Sequence, residues 1–287
     1  MKLKKVLGFL PIKKFRHPDP VVPVVRLSGA IMERGIGRKG LSLAGLDKTL
    51  EEAFETDDAV AVALAINSPG GSPVQSDLIA RRIKELSIAK SLPVIAFVED
   101  VAASGGYWLA CAASEIVAAP ASVVGSIGVI SSGFGMVELL NKMGIERRLH
   151  ASGDRKGMLD PFSPEKPDHV KRLKALQSEI HEIFKEHVRQ SRGDKLKGAE
   201  KDLFSGEFWT ATKGLELGLV DQLGDMYSVL KERFGHNVKL KPMERPKSWI
   251  QRRLNLGEEV ALDLKNGWAE GLIGAVEERE LWGRFGL

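Results

Sequence analysis

The sequence predicts an α/β protein built on a largely parallel sheet. Two observations carry that prediction. The apolar runs at 59–66 (Ala59-Val60-Ala61-Val62-Ala63-Leu64-Ala65-Ile66) and 93–98 (Pro93-Val94-Ile95-Ala96-Phe97-Val98) have the length and composition of strands buried on both faces. Each gives way to a loop containing glycine and then to a segment of helical patterning. Strands that alternate with helices imply right-handed βαβ crossovers.

The elements follow in order. Pro18, Pro20 and Pro23 punctuate the approach to a first strand, Val21-Val22-Pro23-Val24-Val25, and residues 43–54 have a helical pattern. The strand at 59–66 stops at Asn67-Ser68-Pro69-Gly70-Gly71, and a helix over 72–90 follows. After the strand at 93–98 a helix opens near Ser104. Short strands near Ile116 and Ile127, a helix around 137–143 and a strand at 145–149 come next. Beyond the loop at 151–164, Val170, Leu173, Leu176, Ile180, Ile183, Phe184 and Val188 recur at steps of three and four. That spacing predicts a long helix covering the sheet, with His169, His181 and His187 solvated or capping. In 236–287, Pro242 and Pro246 mark a linker, and an acidic amphipathic helix is expected from about 257 to 279. Trp249, Trp268 and Trp282 lie in this stretch, which packs on its own domain or on a neighbour. The chain thus divides into a basic tail (1–20), a main domain (21–235) and a C-terminal linker and helix (236–287).

Composition narrows the function. The 287 residues are 43% hydrophobic and 28% charged, an ordinary globular balance that excludes disordered and low-complexity architectures. One cysteine, Cys111, excludes an intramolecular disulfide and the usual zinc clusters, and its apolar neighbours make it a small buried hydrophobe. Net charge is +4, but six cations and no acid fall in residues 1–17, which leaves the body at −2. A nucleic-acid surface would persist in the fold, so none is expected. The only apolar stretch near the start, Val6 to Ile12, is too short to span a bilayer and has no cleavage site after it. A cytoplasmic protein is expected, with peripheral contact of the basic tail at the inner, anionic face of a membrane.

Two loops occupy the positions where α/β folds place ligands and catalytic groups. In Asn67-Ser68-Pro69-Gly70-Gly71, glycines allow backbone N–H groups to point into a cleft, where they can hold a phosphate or a developing oxyanion; a plain tight turn fits as well. In Val101-Ala102-Ala103-Ser104-Gly105-Gly106-Tyr107-Trp108, Ser104 is either a helix cap or a nucleophile at a sharp strand-to-helix turn, with small neighbours that leave room for substrate. A serine nucleophile needs a base. His150 is one candidate; a lysine whose pKa is lowered by desolvation is another. Local patterning does not choose between them.

Four motifs together are more specific. Asn67-Ser68-Pro69-Gly70-Gly71, Ala102-Ala103-Ser104-Gly105-Gly106-Tyr107-Trp108, Gly125-Ser126-Ile127-Gly128-Val129 and Gly214-Leu215-Glu216-Leu217-Gly218-Leu219-Val220-Asp221 resemble, in wording and spacing, the signal peptide peptidase A family of serine peptidases. The resemblance runs from about Val24 to Phe234. It implies a crotonase/Clp-protease-like fold with long covering helices, and a Ser-Lys dyad that needs no cofactor or metal. By position, Ser104 matches the nucleophile and Lys156 the general base. Ser126 matches a serine that supports the lysine, and Gly71 and Gly105 match the oxyanion-hole residues. A single domain copy resembles the short form of the family and implies a ring-like homo-oligomer acting on peptide or protein substrates, including signal-peptide remnants. Alternatives from other classes are a crotonase-like acyl-CoA enzyme and an inactive membrane-associated scaffold.

Overall fold

The computed structural model describes residues 19–33, 40–153, 155–243, 279 and 281–286. Strands β1 (Val21–Ser28), β2 (Val62–Ser68) and β3 (Val94–Ala103) run parallel, side by side. Next to them β4 (Glu115–Ala118) and β5 (Val123–Gly125) pair in parallel with successive stretches of β3. β6 (Phe208–Thr210) is antiparallel to β5 at one edge, β7 (Gln222–Leu223) adds to β4, and β8 (Lys239–Met243) pairs with β1 at the opposite edge. Crossovers are made by α1 (Leu43–Phe54), α2 (Pro73–Lys90) and α3 (Gly105–Ala110).

The reason these runs form buried strands is visible in β2. Val62, Leu64 and Ile66 face one core layer, while Ala63 and Ala65 face the other. The two-residue period of a strand produces this division. The larger layer lies under α1, α2 and α3; the smaller one is closed by Val229 and Leu230 of α8 (Met226–Phe234). Each large aliphatic side chain so buried contributes about 1.5–3 kcal/mol. α2 begins where Ser72 caps it, accepting from the Gln75 N–H at 3.4 Å, with Pro73 in its first turn. Ser91, in a left-handed conformation, ends it.

After β5 come α4 (Val137–Lys142), α5 (Pro167–Arg192), α6 (Glu200–Leu203) and α7 (Ala211–Glu216). α5 matches the expected amphipathic helix, but it buries only Phe184, Val188 and Arg192. Two of its three histidines, His181 and His187, correct the expectation of solvated or capping side chains. His181 Nε2–H donates to the Ile127 carbonyl at 3.0 Å, and His187 Nε2–H donates to the Trp108 carbonyl at 3.0 Å. Helical steps of three and four place both beside Phe184 and Val188, facing the body. A carbonyl only accepts, so Nε2 carries the proton in each.

Other elements differ from expectation for local reasons. The strand expected near Ile127 ends at Gly125, because Ser126 takes φ 52°, outside the β region. Residues 145–149 form no regular element. β8 carries the sheet into the stretch read as a linker, and its Pro242 is tolerated on an edge strand that needs fewer ladder donors. Cys111 is fully buried, and burial raises its thiol to about 11. The basic tail and the helix expected over 257–279 lie, but for Asp19, Pro20 and Arg279, outside the described residues. Among the described residues no helix is long and apolar enough to cross a membrane.

Candidate active site

β3 delivers Ser104 to the sharp turn before α3. Its backbone has φ 51° and ψ −121°, a conformation that costs a non-glycine residue about 1–3 kcal/mol and is concentrated at functional sites. Two hydrogen bonds hold it. The Ser104 N–H donates to the Gly125 carbonyl at 2.8 Å, and the Ser104 carbonyl accepts from the Trp108 N–H at 3.0 Å. The side chain is half-buried and makes no cap to the helix, so the capping alternative is not what the geometry shows.

The 67–71 loop closes against this turn. Gly70 has φ 104°, and a Cβ on it would lie 2.8 Å from both Gly105 N and Ser104 Cβ. Gly71 has φ 142°, and its Cβ would lie 2.1 Å from the Ile31 carbonyl oxygen. Only glycine allows backbones to approach this closely. Ile31 clasps the loop: its N–H donates to the Gly70 carbonyl at 2.8 Å, and its carbonyl accepts from the Ser72 N–H at 2.7 Å. The Gly71 N–H is left between these two bonds. Neither it nor the Gly105 N–H has a hydrogen-bond acceptor among the described residues. A Cβ on Gly105 would lie 3.3 Å from Gly71 N, so these two donors sit on neighbouring backbones beside Ser104. Sequence reasoning missed Ile31, because its role comes from a two-bond clasp across about forty residues rather than from a local motif.

Ser126 sits one residue beyond the carbonyl that holds Ser104. It is buried, with its N–H donating to the Glu207 carbonyl at 2.7 Å. Lys156, by contrast, lies on an exposed turn, with its N–H donating to the Gly153 carbonyl at 3.1 Å. No hydrogen bond joins its ammonium to Ser104 or Ser126. His150 is also exposed and is not bonded to Ser104. The structure therefore sets Ser104, Gly71 and Gly105 side by side, with Ser126 next to the Gly125 carbonyl that holds Ser104, and forms no hydrogen bond between Lys156 and any of them.

The segment carrying Lys156 is bonded to itself. Met136 N–H donates to the Pro161 carbonyl at 2.7 Å, Arg147 is 3.5 Å from Asp160, and its guanidinium lies over Phe162. α4 within it buries no residue, and Ile130, Phe134, Leu139, Met143, Ile145 and Leu149 are exposed.

The fourth motif braces the site from behind. Tyr107, on α3, donates its hydroxyl to the Leu219 carbonyl at 2.8 Å. The Arg192 Nε–H donates to the Gly218 carbonyl at 3.0 Å, and its two terminal nitrogens donate to Asp221 at 2.8 and 2.9 Å. Burial raises the Asp221 carboxyl, but hydrogen bonds from Arg192 and Lys195 outweigh it and hold the group at about 2. Among the described residues no group of three or more His, Cys, Asp or Glu is arranged to hold a metal ion.

The model of peptidase family S49 matches residues 87–239. The chain is 48% identical over 281 residues to a Brucella abortus protein named Na(+)/H(+) antiporter NhaA, covering 96% of this chain and 38% of that protein. It is 30% identical over 210 residues to the chloroplastic serine protease SPPA of Arabidopsis thaliana, covering 71% of this chain and 31% of that one. The chain thus spans well under half of either relative, and the antiporter name describes a protein that extends far beyond the match. A solved structure of the 1510-N membrane-bound stomatin-specific protease, a lysine-to-alanine mutant with a substrate peptide, superposes with a TM-score of 0.50 at 18% identity, covering 86% of this chain and all of that one. That likeness bears on the fold. With the family model matching more than half of its residues, the chain belongs to peptidase family S49, the family of the signal peptide peptidase A serine peptidases.

Proposed function

We propose that this chain is a serine endopeptidase that cleaves small or unfolded peptides, signal-peptide remnants among them, through a Ser-Lys dyad shared between two copies of the chain. The observation that carries the reading is the turn at Ser104: a strained serine beside two backbone N–H groups that have no acceptor among the described residues. A carbonyl oxygen that becomes an oxyanion supplies that acceptor.

The steps follow from these groups. Lys156, acting as the base, takes the proton of the Ser104 hydroxyl as Oγ bonds to the peptide carbonyl carbon. The Gly71 and Gly105 N–H groups hold the resulting oxyanion. As the C–N bond breaks, the Lys156 ammonium returns its proton to the leaving amine. A water molecule then attacks the acyl-enzyme with Lys156 again as base, releasing the acid and restoring Ser104. In this reading the Ser126 hydroxyl accepts a hydrogen bond from the lysine and keeps it oriented. Within one chain Lys156 does not bond to Ser104, and its segment presents apolar side chains to solvent. A neighbouring copy that covered those side chains would bring its own Lys156 to Ser104, which makes a closed ring the natural assembly.

Labelling with a fluorophosphonate probe tests the chemistry. The full chain is expected to be modified at Ser104, and Ser104→Ala and Lys156→Ala are each expected to abolish both labelling and peptide hydrolysis while leaving the unfolding transition in place. Undiminished labelling of Lys156→Ala would refute the dyad, and acyl-CoA turnover without any labelling would favour the crotonase-like alternative.

A further inference from the structure

β3 changes partner as it enters the site, and extra residues make the change. Ile66 of β2 pairs with Val98 of β3, while Ser68 pairs with Ala102. One residue of β2, Asn67, therefore stands opposite Glu99, Asp100 and Val101. Before this bulge β3 pairs with β4 as far as Val98; after it β3 pairs with β5 from Val101 onward. The stretch ending in Ser104 takes its place from this displacement.

A bulge leaves backbone groups without ladder partners. Here side chains take them. Asn67 Oδ1 accepts from the Val101 N–H at 3.3 Å, and its Nδ2 donates to the Asp100 carboxylate at 2.7 Å. From the other side the Ser122 hydroxyl donates to the Glu99 carbonyl. The Asn67 carbonyl accepts from the Gly29 N–H at 3.0 Å, which anchors the same residue to the end of β1. Asn67 also leads directly into Ser68-Pro69-Gly70-Gly71. One side chain thus ties the loop that carries the Gly71 N–H to the strand that carries Ser104.

We infer that Asn67 is a positioning residue, whose bonds to Val101 and Asp100 set Ser104 in register with the Gly71 N–H. The inference rests on the reading of Ser104 as the nucleophile. It requires one acceptor and one donor on residue 67. A carboxylate there keeps the acceptor for Val101 but meets Asp100 as a like charge, whereas an amide at 100 restores the pair with the roles exchanged.

The test is the time course of fluorophosphonate labelling of the full chain, read by intact mass as a rate constant and an end-point. Asn67→Asp is expected to lower the rate constant about 10- to 100-fold, the scale of a small misplacement of reacting groups, with the end-point unchanged. Asn67→Asp combined with Asp100→Asn is expected to regain most of the rate. Asn67→Ala, which removes both bonds, is expected to be slow with or without Asp100→Asn. A positioning role is overturned if Asn67→Asp and Asn67→Ala label at the wild-type rate, or if the double variant stays as slow as Asn67→Asp. It is equally overturned if the end-point falls at an unchanged rate constant, because that is the mark of a lost folded fraction. Absence of labelling at Ser104 in the unaltered chain would instead remove the nucleophile, and the positioning role with it.

Discussion

Strained and close-packed residues meet at the turn between β3 and α3. Ser104 and Ser126 hold φ values of 51° and 52°, one on either side of the Gly125 carbonyl that binds the Ser104 N–H. Gly70 presses against both Ser104 and Gly105. Gly70→Ala is expected to destabilise the protein by about 1–3 kcal/mol and to slow Ser104 labelling sharply even where the variant is fully folded. Unfolding curves and labelling rates on the same sample check this; wild-type labelling would show that Gly70 does not shape the wall of the site. The turns at Ser104 and at Gly70-Gly71 were legible in the sequence because tight turns admit few residue types, while the roles assigned to Ser104, Gly71 and Gly105 came from the resemblance alone. The bonds made by Ile31, Asn67 and Ser122 were not legible, since each is made with a partner brought to it by strand register.

At the scale of elements, the apolar runs identified β2 and β3, and the glycine-containing loops marked where they stop. The 3.6-residue pattern identified α5 but not what its polar side chains do. His187 stacks on Trp108 with ring centroids 5.1 Å apart, and Trp108 stacks on Phe184 at 4.7 Å. Burial lowers the His187 imidazole to about 4, against about 6.5 in an unfolded chain. Between those values the unfolded chain binds a proton that the folded chain does not. Stability is therefore expected to fall as pH drops from about 6.5 to about 4, with no contribution to the slope outside that window. His187→Phe keeps a ring against Trp108 and is expected to flatten this part of the pH dependence of the urea midpoint. An identical slope in the variant would show that His187 is not held neutral.

At the scale of the whole molecule, one chain sets Ser104 beside the Gly71 and Gly105 N–H groups and leaves apolar side chains uncovered on the segment that carries Lys156. A second signal is electrostatic. The six cations of residues 1–17 are each worth up to ~1 kcal/mol near an anionic bilayer, an attraction that salt weakens. Cosedimentation with phosphatidylserine-containing vesicles is expected to fall on deletion of the tail and at high salt; equal binding without the tail would contradict it. Sequence patterning reached Lys156 only through resemblance, because an exposed lysine on a turn carries no local mark of catalysis. Whether it serves a neighbouring Ser104 is decided by complementation. Ser104→Ala and Lys156→Ala chains, each inactive, are mixed in equal amounts and allowed to exchange subunits. If the dyad is shared, about one interface in four joins an intact serine to an intact lysine, and peptide hydrolysis returns toward about a quarter of the wild-type rate. If exchange is demonstrated and activity stays at zero, the two residues act within one chain and the shared site is wrong.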